Sequence, residues 1–196
     1  MKMWDELFEL TGEMVRLLPI NYDHLDGLWE AAKPDEIWTF MATAVRSKEE
    51  MEQMIHSAIN KREKGIEYTF TVVNLDNRII GSTRYLDIFP EHNSLEIGST
   101  WYHPDFWRTR VNTECKYLLL QHAFESWQVR RVQLKTDSRN FRSQQAIERI
   151  GAVKEGTLRK DRKISGGYVR NTVFYSILHE EWGQVKKKLE RKLGEQ

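Results

Sequence analysis

Residues 95–113, LEIGSTWYHPDFWRTRVNT, restrict the fold of this chain more than any other stretch. Apolar and polar residues alternate over 95–102, which predicts a β-strand, and His103-Pro104 ends it. Asn112 and Thr113 are typical N-cap residues for the apolar run that follows, so a strand, a loop and a helix are expected in succession. The alternation assigns Leu95, Ile97, Ser99 and Trp101 to one face and Glu96, Gly98, Thr100 and Tyr102 to the other.

The loop of this unit carries two arginines, Arg108 and Arg110, at the start of the predicted helix. A helix N-terminus presents unpaired backbone N–H groups and a partial positive charge, and nearby guanidinium groups strengthen its attraction for phosphate. One interpretation is therefore a site for a phosphate-bearing cofactor. The other is an ordinary connection between strand and helix with solvated arginines.

The composition indicates a soluble globular protein with a single domain. The chain has 196 residues, 40% of them hydrophobic and 30% charged, and a net charge of +1, without the basic excess typical of nucleic-acid binding. The first ten residues lack the apolar core of a signal peptide and no apolar run is long enough to span a membrane, so a cytoplasmic protein is expected. Cys115 lies in an apolar helical pattern and is expected to be a packed thiol.

The remaining sequence predicts further helices and strands around this unit. Ser47 and Glu50 form a capping box at the start of one helix, and Gly151 occupies the usual position after the end of another. Helices are predicted over 21–32, 47–65, 113–127 and 140–150 and in the amphipathic segment from 180 onward. Strands are predicted over 14–18, 67–74, 78–85, 95–102, 131–136, 153–159 and 169–178.

The order of these elements predicts an α+β fold with a mixed sheet. Short turns join the strands over 67–74, 78–85 and 95–102, so these three are expected to be antiparallel. The strand over 131–136 is reached through a helix and should therefore lie parallel to the strand over 95–102.

Two stretches, LEIGSTWYHPDFWRTRVNTECKYLLLQHAFE and NFRSQQAIERIGAVKEGTLR, resemble the GNAT acetyltransferases. The similarity is to the branch of ribosomal-protein N-terminal acetyltransferases of the RimJ/RimL type, and it covers residues from about 14 to 182. It implies one GNAT domain over 1–196, with a core over about 14–182 and a helical tail over 183–196. The implied sheet is mostly antiparallel, has two splayed parallel central strands and is flanked by helices.

The resemblance implies acetyl-CoA as the acetyl donor and a primary amine as the acceptor. In the family the strand matching 95–102 is bulged, and the pantetheine arm pairs with it as a pseudo-strand while the pyrophosphate lies at the following helix. The cofactor-binding residues implied here are Thr100, Trp101, Tyr102, Arg108, Thr109, Arg110, Val111, Asn112, Thr113 and Asn140.

The sequence departs from the family pattern at two places. The pyrophosphate loop of the family runs Gln/Arg-x-x-Gly-x-Gly/Ala, whereas residues 107–112 here lack both glycines. Arg110 must then have an ordinary backbone conformation or carry strain. Many members have a tyrosine where this chain has Ile147, and the RimJ/RimL branch instead suggests Ser143 as the group near the CoA sulfur.

Three residues are candidates for catalysis: Ser143, Glu96 and Tyr175. Ser143 would donate a hydrogen bond to the leaving sulfur, with Tyr175 as the alternative acid. Glu96 is either a base acting through water or a partner in an ion pair with a neighbour such as Arg84. Asn140 either fixes the pantetheine or caps the helix, and both roles are compatible. The six histidines show no metal-binding spacing, so no metal is expected.

The sequence leaves the acceptor open among protein or peptide N-termini, small amines and aminoglycosides. Specificity is expected to reside in residues 35–44 and in the loop at Phe89. A CoA-binding module without catalysis and a purely structural interaction protein are the alternatives from other classes. A monomer or a homodimer is expected, with neither nucleic acid nor a membrane as partner.

Overall fold

A computed structural model describes residues 7–164 and 166–194, and its centre is one eight-stranded sheet. The strand order in the sheet is β1-β2-β3-β4-β5-β6-β8-β7. The strands are β1 Leu10–Thr11, β2 Val15–Pro19, β3 Tyr68–Asn74, β4 Ile79–Phe89, β5 Ser94–Tyr102, β6 Arg131–Asp137, β7 Val153–Lys163 and β8 Val169–Leu178. All seven predicted strands are confirmed, and β1 is an additional short strand. The predicted turn at 165–167 includes Ser165, which lies outside the described residues.

Among the described residues five α-helices accompany the sheet, and two of them begin at the caps that the sequence predicts. The Ser47 side chain accepts a hydrogen bond from the Glu50 backbone N–H at 3.2 Å, and Asn140 caps α4. The helices are α1 Leu25–Ala32, α2 Lys48–Glu63, α3 Val111–Gln121, α4 Phe141–Arg149 and α5 Trp182–Gly194. A π-helical turn, His122–Ser126, extends α3. No helix among the described residues is long and apolar enough to cross a membrane.

The start of α3 differs from the prediction. Its N-cap is Arg110, without a side-chain hydrogen bond, and Asn112 and Thr113 lie inside the first turn. The expected role of Asn112 and Thr113 as caps is therefore wrong. The Val111 N–H donates to the Thr109 hydroxyl at 3.3 Å, whereas the N–H groups of Asn112 and Thr113 have no partner within the helix.

The sheet separates at its centre, between β5 and β6. These two strands are parallel, as predicted, but they pair only over three positions, from Ser94 with Arg131 to Glu96 with Gln133. Every other neighbouring pair in the sheet is antiparallel. Beyond Glu96 the edge of β5 that faces β6 has no strand partner, and a cleft opens there.

The two faces of the sheet bury two different apolar clusters. Leu95, Ile97 and Val132 belong to the larger cluster, together with residues of α3 and α5. The smaller cluster is formed by residues of α1 and α2 and by Trp101. We call these the α3 face and the α1/α2 face. Because the cleft passes between β5 and β6, it can be reached from both faces.

The C-terminal helix is part of the main apolar core. Val185 and Leu189 of α5 are buried in the larger cluster, and the Trp182 indole N–H donates to Glu125 at 2.9 Å. The amphipathic pattern predicted for this helix is confirmed. Its apolar side is covered by the sheet and α3, so the core extends beyond the boundary at 182 that the resemblance implied.

Candidate active site

A β-bulge interrupts β5 in the middle of the cleft. Ser82 pairs with Trp101 and Arg84 pairs with Gly98, so one residue of β4 lies opposite two residues of β5. Ser99 has a φ of +45°, the left-handed conformation expected of such an inserted residue. The bulge that the family resemblance implied is therefore present.

The bulge reverses the faces that the alternation predicts beyond Ser99. Trp101 packs in the α1/α2 cluster, whereas Tyr102 packs in the α3 cluster with Ile97. The Thr100 hydroxyl lies on the α3 face, where it meets Thr83 at 2.8 Å. Regular alternation through Tyr102 was therefore a wrong prediction, because an inserted residue shifts every following side chain to the opposite face.

A cleft of about 610 Å³ lies between the separated strands. It is lined by residues of β5, the β5–α3 loop, β6, α4 and the segment between α1 and α2. The sequence-derived candidates that line it are Glu96, Thr100, Trp101, Tyr102, Arg108, Thr109, Asn112, Asn140 and Ser143. Unpaired backbone groups along one edge of β5 and an unsatisfied indole N–H of Trp101 offer hydrogen bonds to an amide-bearing ligand.

Positive charge surrounds the cleft where α3 begins. Arg108 has a φ of +63°, so the residue of this loop in the left-handed conformation is Arg108, whereas Arg110 has an ordinary helical φ of −73°. The Arg142 guanidinium lies 3.7 Å from the centre of the Trp107 ring. Burial, together with the charge of Arg108, lowers the pKa of Arg142. Two guanidinium groups beside the start of α3, where backbone N–H groups lack helical partners, are suited to binding phosphate.

Three residues predicted to bind the cofactor do not line this cleft. The Arg110 guanidinium donates to the Leu193 carbonyl oxygen at the end of α5, at 2.6 Å. Val111 and Thr113 are buried, at 6% and 8% exposure, because they face the interior from the first turn of α3. Arg110 therefore binds the C-terminal end of another helix, and the arginines that line the cleft near the start of α3 are Arg108 and Arg142.

Asn140 and Ser143 are joined at the start of α4. The Asn140 side-chain oxygen accepts a hydrogen bond from the Ser143 backbone N–H at 3.0 Å. The capping role of Asn140 is confirmed, and both residues also line the cleft. The cap fixes the first turn of α4, which holds the Ser143 side chain at the cleft wall.

Glu96 is a buried carboxylate with two partners on β6. It is 2% exposed, and its Oε2 lies 2.7 Å from Lys135 Nζ and accepts from the Gln133 amide at 3.0 Å. Burial raises the pKa of Glu96, although Lys135 and Gln133 act in the opposite direction. The expected ion pair with a neighbour is confirmed, but the neighbour is Lys135 and not Arg84, which contacts Glu67 at 3.2 Å.

Tyr175 is not placed to act as an acid in the cleft. It is fully buried in the α3-face cluster and does not line the cleft. Its hydroxyl donates to Glu148 on α4 at 3.1 Å, and burial together with Glu148 raises its pKa to about 12. The structure therefore gives Tyr175 a packing role, since alternate residues of β8 face α4.

Lys116 is a cleft residue that the sequence reasoning missed. It is 6% exposed on α3, and its Nζ donates to the Thr100 hydroxyl at 2.6 Å. Burial lowers its pKa to about 8. A lysine inside the apolar run around Cys115 and Leu118 was the available signal. Cys115 itself is buried, which confirms the packed thiol, and burial raises its pKa to about 12.

The opening on the α1/α2 face has its own lining. Ile37, Phe40 and Met41, from the segment 35–44, line the cleft there, whereas no residue of the Phe89 loop does. Arg162 and Arg170, from β7 and β8, also line the cleft and were not singled out in the sequence. Within residues 7–164 and 166–194 no group of three or more His, Cys, Asp or Glu side chains could hold a metal ion.

Comparison with known proteins agrees with this fold. The acetyltransferase (GNAT) domain family matches residues 15–153. The Bacillus subtilis (strain 168) protein named "Putative ribosomal N-acetyltransferase YdaF" is 26% identical over 152 residues, 74% of this chain and 78% of that protein. A crystal structure of a "putative acetyltransferase" from T. thermophilus is 35% identical, with a TM-score of 0.87, covering 97% of this chain and 99% of the other. A GCN5-related N-acetyltransferase from Brucella melitensis is 26% identical, with a TM-score of 0.88, covering 96% and 86%.

The splayed central strand pair and the bulge beside it lie within the region that the acetyltransferase domain family matches, which is most of the chain. The chain belongs to the GNAT family and is an N-acetyltransferase, as the sequence predicted. Enzymes of this family use acetyl-CoA as the acetyl donor. The relative named for ribosomal acetylation agrees with the predicted RimJ/RimL-like branch.

Proposed function

We propose that this chain binds acetyl-CoA between β5 and β6 and transfers the acetyl group directly to the α-amine of a peptide N-terminus or small molecule. The observation that carries this proposal is the loss of pairing between β5 and β6 immediately beyond Glu96, next to the bulge at Ser99. This arrangement leaves backbone donors and acceptors facing a cleft that both faces of the sheet can reach.

The donor is held by three parts of the cleft in this proposal. The free edge of β5 pairs with the two amides of the pantetheine arm, as a neighbouring strand would. The backbone N–H groups at the start of α3, with Arg108 and Arg142, bind the pyrophosphate. The first turn of α4, fixed by Asn140, forms the wall near the thioester.

Glu96 prepares the acceptor amine for attack. An α-amine with a pKa near 8 is about a tenth neutral at pH 7, whereas a lysine-like amine near 10.4 is neutral only to a few parts in ten thousand. A carboxylate whose pKa is raised by burial can take a proton from the amine through a water molecule, and Lys135 keeps that carboxylate in place. A base of this moderate strength suits α-amines.

The remaining groups act on charge that develops at the thioester. Backbone N–H groups of β5 beyond the bulge, over 100–102, are the donors for the carbonyl oxygen. Ser143 donates a hydrogen bond to the leaving sulfur, which needs only modest help because a thiol has a pKa of roughly 8.5. No covalent intermediate on the protein is required.

An acetyl-CoA consumption assay over paired amines tests this function. The panel consists of peptides that differ only in whether the α-amine or a lysine ε-amine is free, together with small amines and aminoglycosides. Faster consumption with α-amines supports the proposal, and a preference for ε-amines overturns the acceptor assignment. Calorimetric titration with CoA separates the alternatives: binding without turnover on any amine identifies a CoA-binding module, and no binding at millimolar CoA rejects the site itself.

A further inference from the structure

Arg170, on β8, is a buried cation whose end groups have no partner in the described part of the chain. It is 7% exposed and lines the cleft. Its Nε donates to the Thr172 hydroxyl at 2.9 Å, while its two terminal nitrogens form neither a hydrogen bond nor an ion pair with residues 7–164 or 166–194. These two nitrogens are not among the fully buried polar atoms that lack a partner, so they face the open cleft, where a guanidinium is suited to binding an anion.

The carboxylates around Arg170 are already paired with other cations. Asp161 accepts a hydrogen bond from the Thr172 hydroxyl at 2.6 Å, which holds it beside Arg162. Burial and the repulsion from Arg162 lower the pKa of Arg170, against the attraction of the carboxylates of Asp137, Asp161 and Glu96. The ion pairs are Asp137–Arg139 at 2.8 Å, Asp161–Arg162 at 2.9 Å and Glu96–Lys135 at 2.7 Å.

Arg170 lies on the same face of the sheet as Glu96. Thr172 on β8 and Asp137 on β6 are cross-strand partners, so their side chains share a face. Arg170 and Lys135 each lie two residues from one of them and therefore share the same face. Lys135 also binds Glu96, which places Glu96 there too. This is the α1/α2 face, opposite the start of α3 where the pyrophosphate is proposed to bind. The open nitrogens of Arg170 therefore serve the acceptor rather than the donor.

The strand register places the backbone of Arg170 relative to the position opposite Lys135. Lys135, which binds Glu96, pairs with Phe174, and four residues of β8 from Phe174 to Arg170 span roughly 13 Å of backbone. The side chains of Glu96 and Arg170 extend from the strands into the same cleft, and Glu96 is near enough to attract Arg170 electrostatically. An acidic side chain within the first residues of an acceptor can therefore reach Arg170 while its amine lies near Glu96.

Aromatic side chains close the outer side of this region. The Arg139 guanidinium lies 3.4 Å from the centre of the Tyr168 ring and 5.6 Å from that of Phe40. This contact joins the β7–β8 turn to the segment between α1 and α2. Arg139 is occupied by Asp137 and these rings, which leaves Arg170 as the cation directed at the acceptor.

We propose that Arg170 binds a side-chain carboxylate of the acceptor, so that the preferred substrate is an α-amine followed within a few bonds by an acidic group. The guanidinium is matched to this role because its fork of N–H donors binds a carboxylate in a bidentate manner. This inference rests on the proposed function and adds the class of acceptor to it.

The test compares acidic acceptors with their amides in the wild-type enzyme. One set of peptides carries Glu or Gln at position 1, 2 or 3, and a small-molecule arm compares glutamic acid α-amide with glutamine α-amide. A charged hydrogen bond is worth about 1.5–3 kcal/mol, so kcat/KM should be about 10–100 times higher for the acid at the preferred position. The preference should fall to about twofold or less in Arg170→Gln and recover in part in Arg170→Lys.

Calorimetry, salt dependence and a control variant complete the test. Calorimetric binding of the same pairs does not depend on turnover, so it tests the carboxylate site even if the enzyme acetylates none of the panel, a result that would count against the proposed function alone. If Arg170→Gln does not fold, the inference is still tested by the wild-type preference for the acid over the amide, which should decrease as the salt concentration rises. Equal kcat/KM and equal affinity for acid and amide at every position overturn the inference. Arg159→Gln, on the exposed part of β7, is the control and should retain the wild-type preference.

Discussion

Lys116 Nζ donates a 2.6 Å hydrogen bond to the hydroxyl of Thr100, a residue that simple alternation along β5 would assign to the opposite face of the sheet. The bulge at Ser99 turns Thr100 toward α3 and so gives the buried lysine a polar partner. An ammonium group is thereby held at the bulge, next to the strand edge proposed to bind the donor. Its burial has a measurable effect on stability.

Lys116→Met is expected to stabilise the protein at neutral pH. Burial lowers the pKa of Lys116 from 10.5 to about 8. Below pH 8 the side chain is charged in both states and the folded protein bears the full cost of burying the charge. Between pH 8 and 10.5 only the unfolded chain binds the proton, so wild-type stability rises. The variant should gain up to about 3 kcal/mol at pH 7, and the gain should shrink toward pH 10.5.

Urea unfolding of wild type and variant at several pH values between 6 and 10 measures this difference. Lys64→Met, at an exposed position after α2, is the matched control and should show no such pH dependence. A Lys116→Met variant whose stability relative to wild type is the same at pH 7 and pH 10 would contradict the buried ammonium.

Glu96→Gln is expected to lower kcat/KM for the amine with little change in acetyl-CoA affinity. The amide cannot accept a proton, and it also replaces a carboxylate that Lys135 contacts at 2.7 Å. In wild type, kcat/KM should rise with pH to about 8, as the α-amine loses its proton. Steady-state pH profiles measure both effects. Glu67→Gln, whose partner Arg84 lies outside the cleft lining, is the control. If kcat/KM does not change between pH 6 and 9, both the role of Glu96 as the base and the assignment of an α-amine as the acceptor are contradicted.

Arg108 and Arg110 are expected to differ in their effect on the donor. Arg108→Ala should raise KM for acetyl-CoA about tenfold or more, since a charged hydrogen bond to phosphate contributes about 1.5–3 kcal/mol. Arg110→Ala should leave KM unchanged and cost less than about 1 kcal/mol of stability, because Arg110 binds the C-terminal end of α5. Initial rates at varied acetyl-CoA, with thermal unfolding of the same proteins, make the comparison.

The backbone at Arg108 supplies a second comparison. Its φ is +63°, and Arg108→Gly should therefore be about 1 kcal/mol more stable than Arg108→Ala while showing the same increase in KM. Two variants of equal stability would show that this conformation carries no strain. If KM for acetyl-CoA rises in Arg110→Ala and not in Arg108→Ala, Arg110 and not Arg108 binds the phosphate.

Ser143→Ala is expected to lower kcat more than it weakens acetyl-CoA binding. The proposed hydrogen bond from its hydroxyl gains strength as charge develops on the sulfur, so its loss affects the transition state most. Steady-state rates and calorimetric CoA affinities provide the two parameters. Ser57→Ala, on the exposed side of α2, is the control. Wild-type kcat in the folded Ser143→Ala enzyme would leave Ser143 as a helix residue only.

The sequence by itself determined the elements whose signals are local. The capping side chains of Ser47 and Asn140, the left-handed Gly151 after α4 and the period of each strand all depend on neighbours a few residues away. The connection of β5 to β6 through α3 was enough to predict that these two strands are parallel. Two stretches that resemble the GNAT acetyltransferases then indicated the fold and acetyl-CoA as the acetyl donor.

Only the tertiary structure decided which charged groups meet at the site. The bulge at Ser99 exchanged the faces of Trp101 and Tyr102, and α5, more than 80 residues away in sequence, drew Arg110 away from the phosphate site. The partners of Glu96 and the open guanidinium of Arg170 depend on the register of β5, β6 and β8, which is set by packing across the whole sheet. A polar side chain takes the partner that burial places beside it, and sequence spacing does not encode that choice.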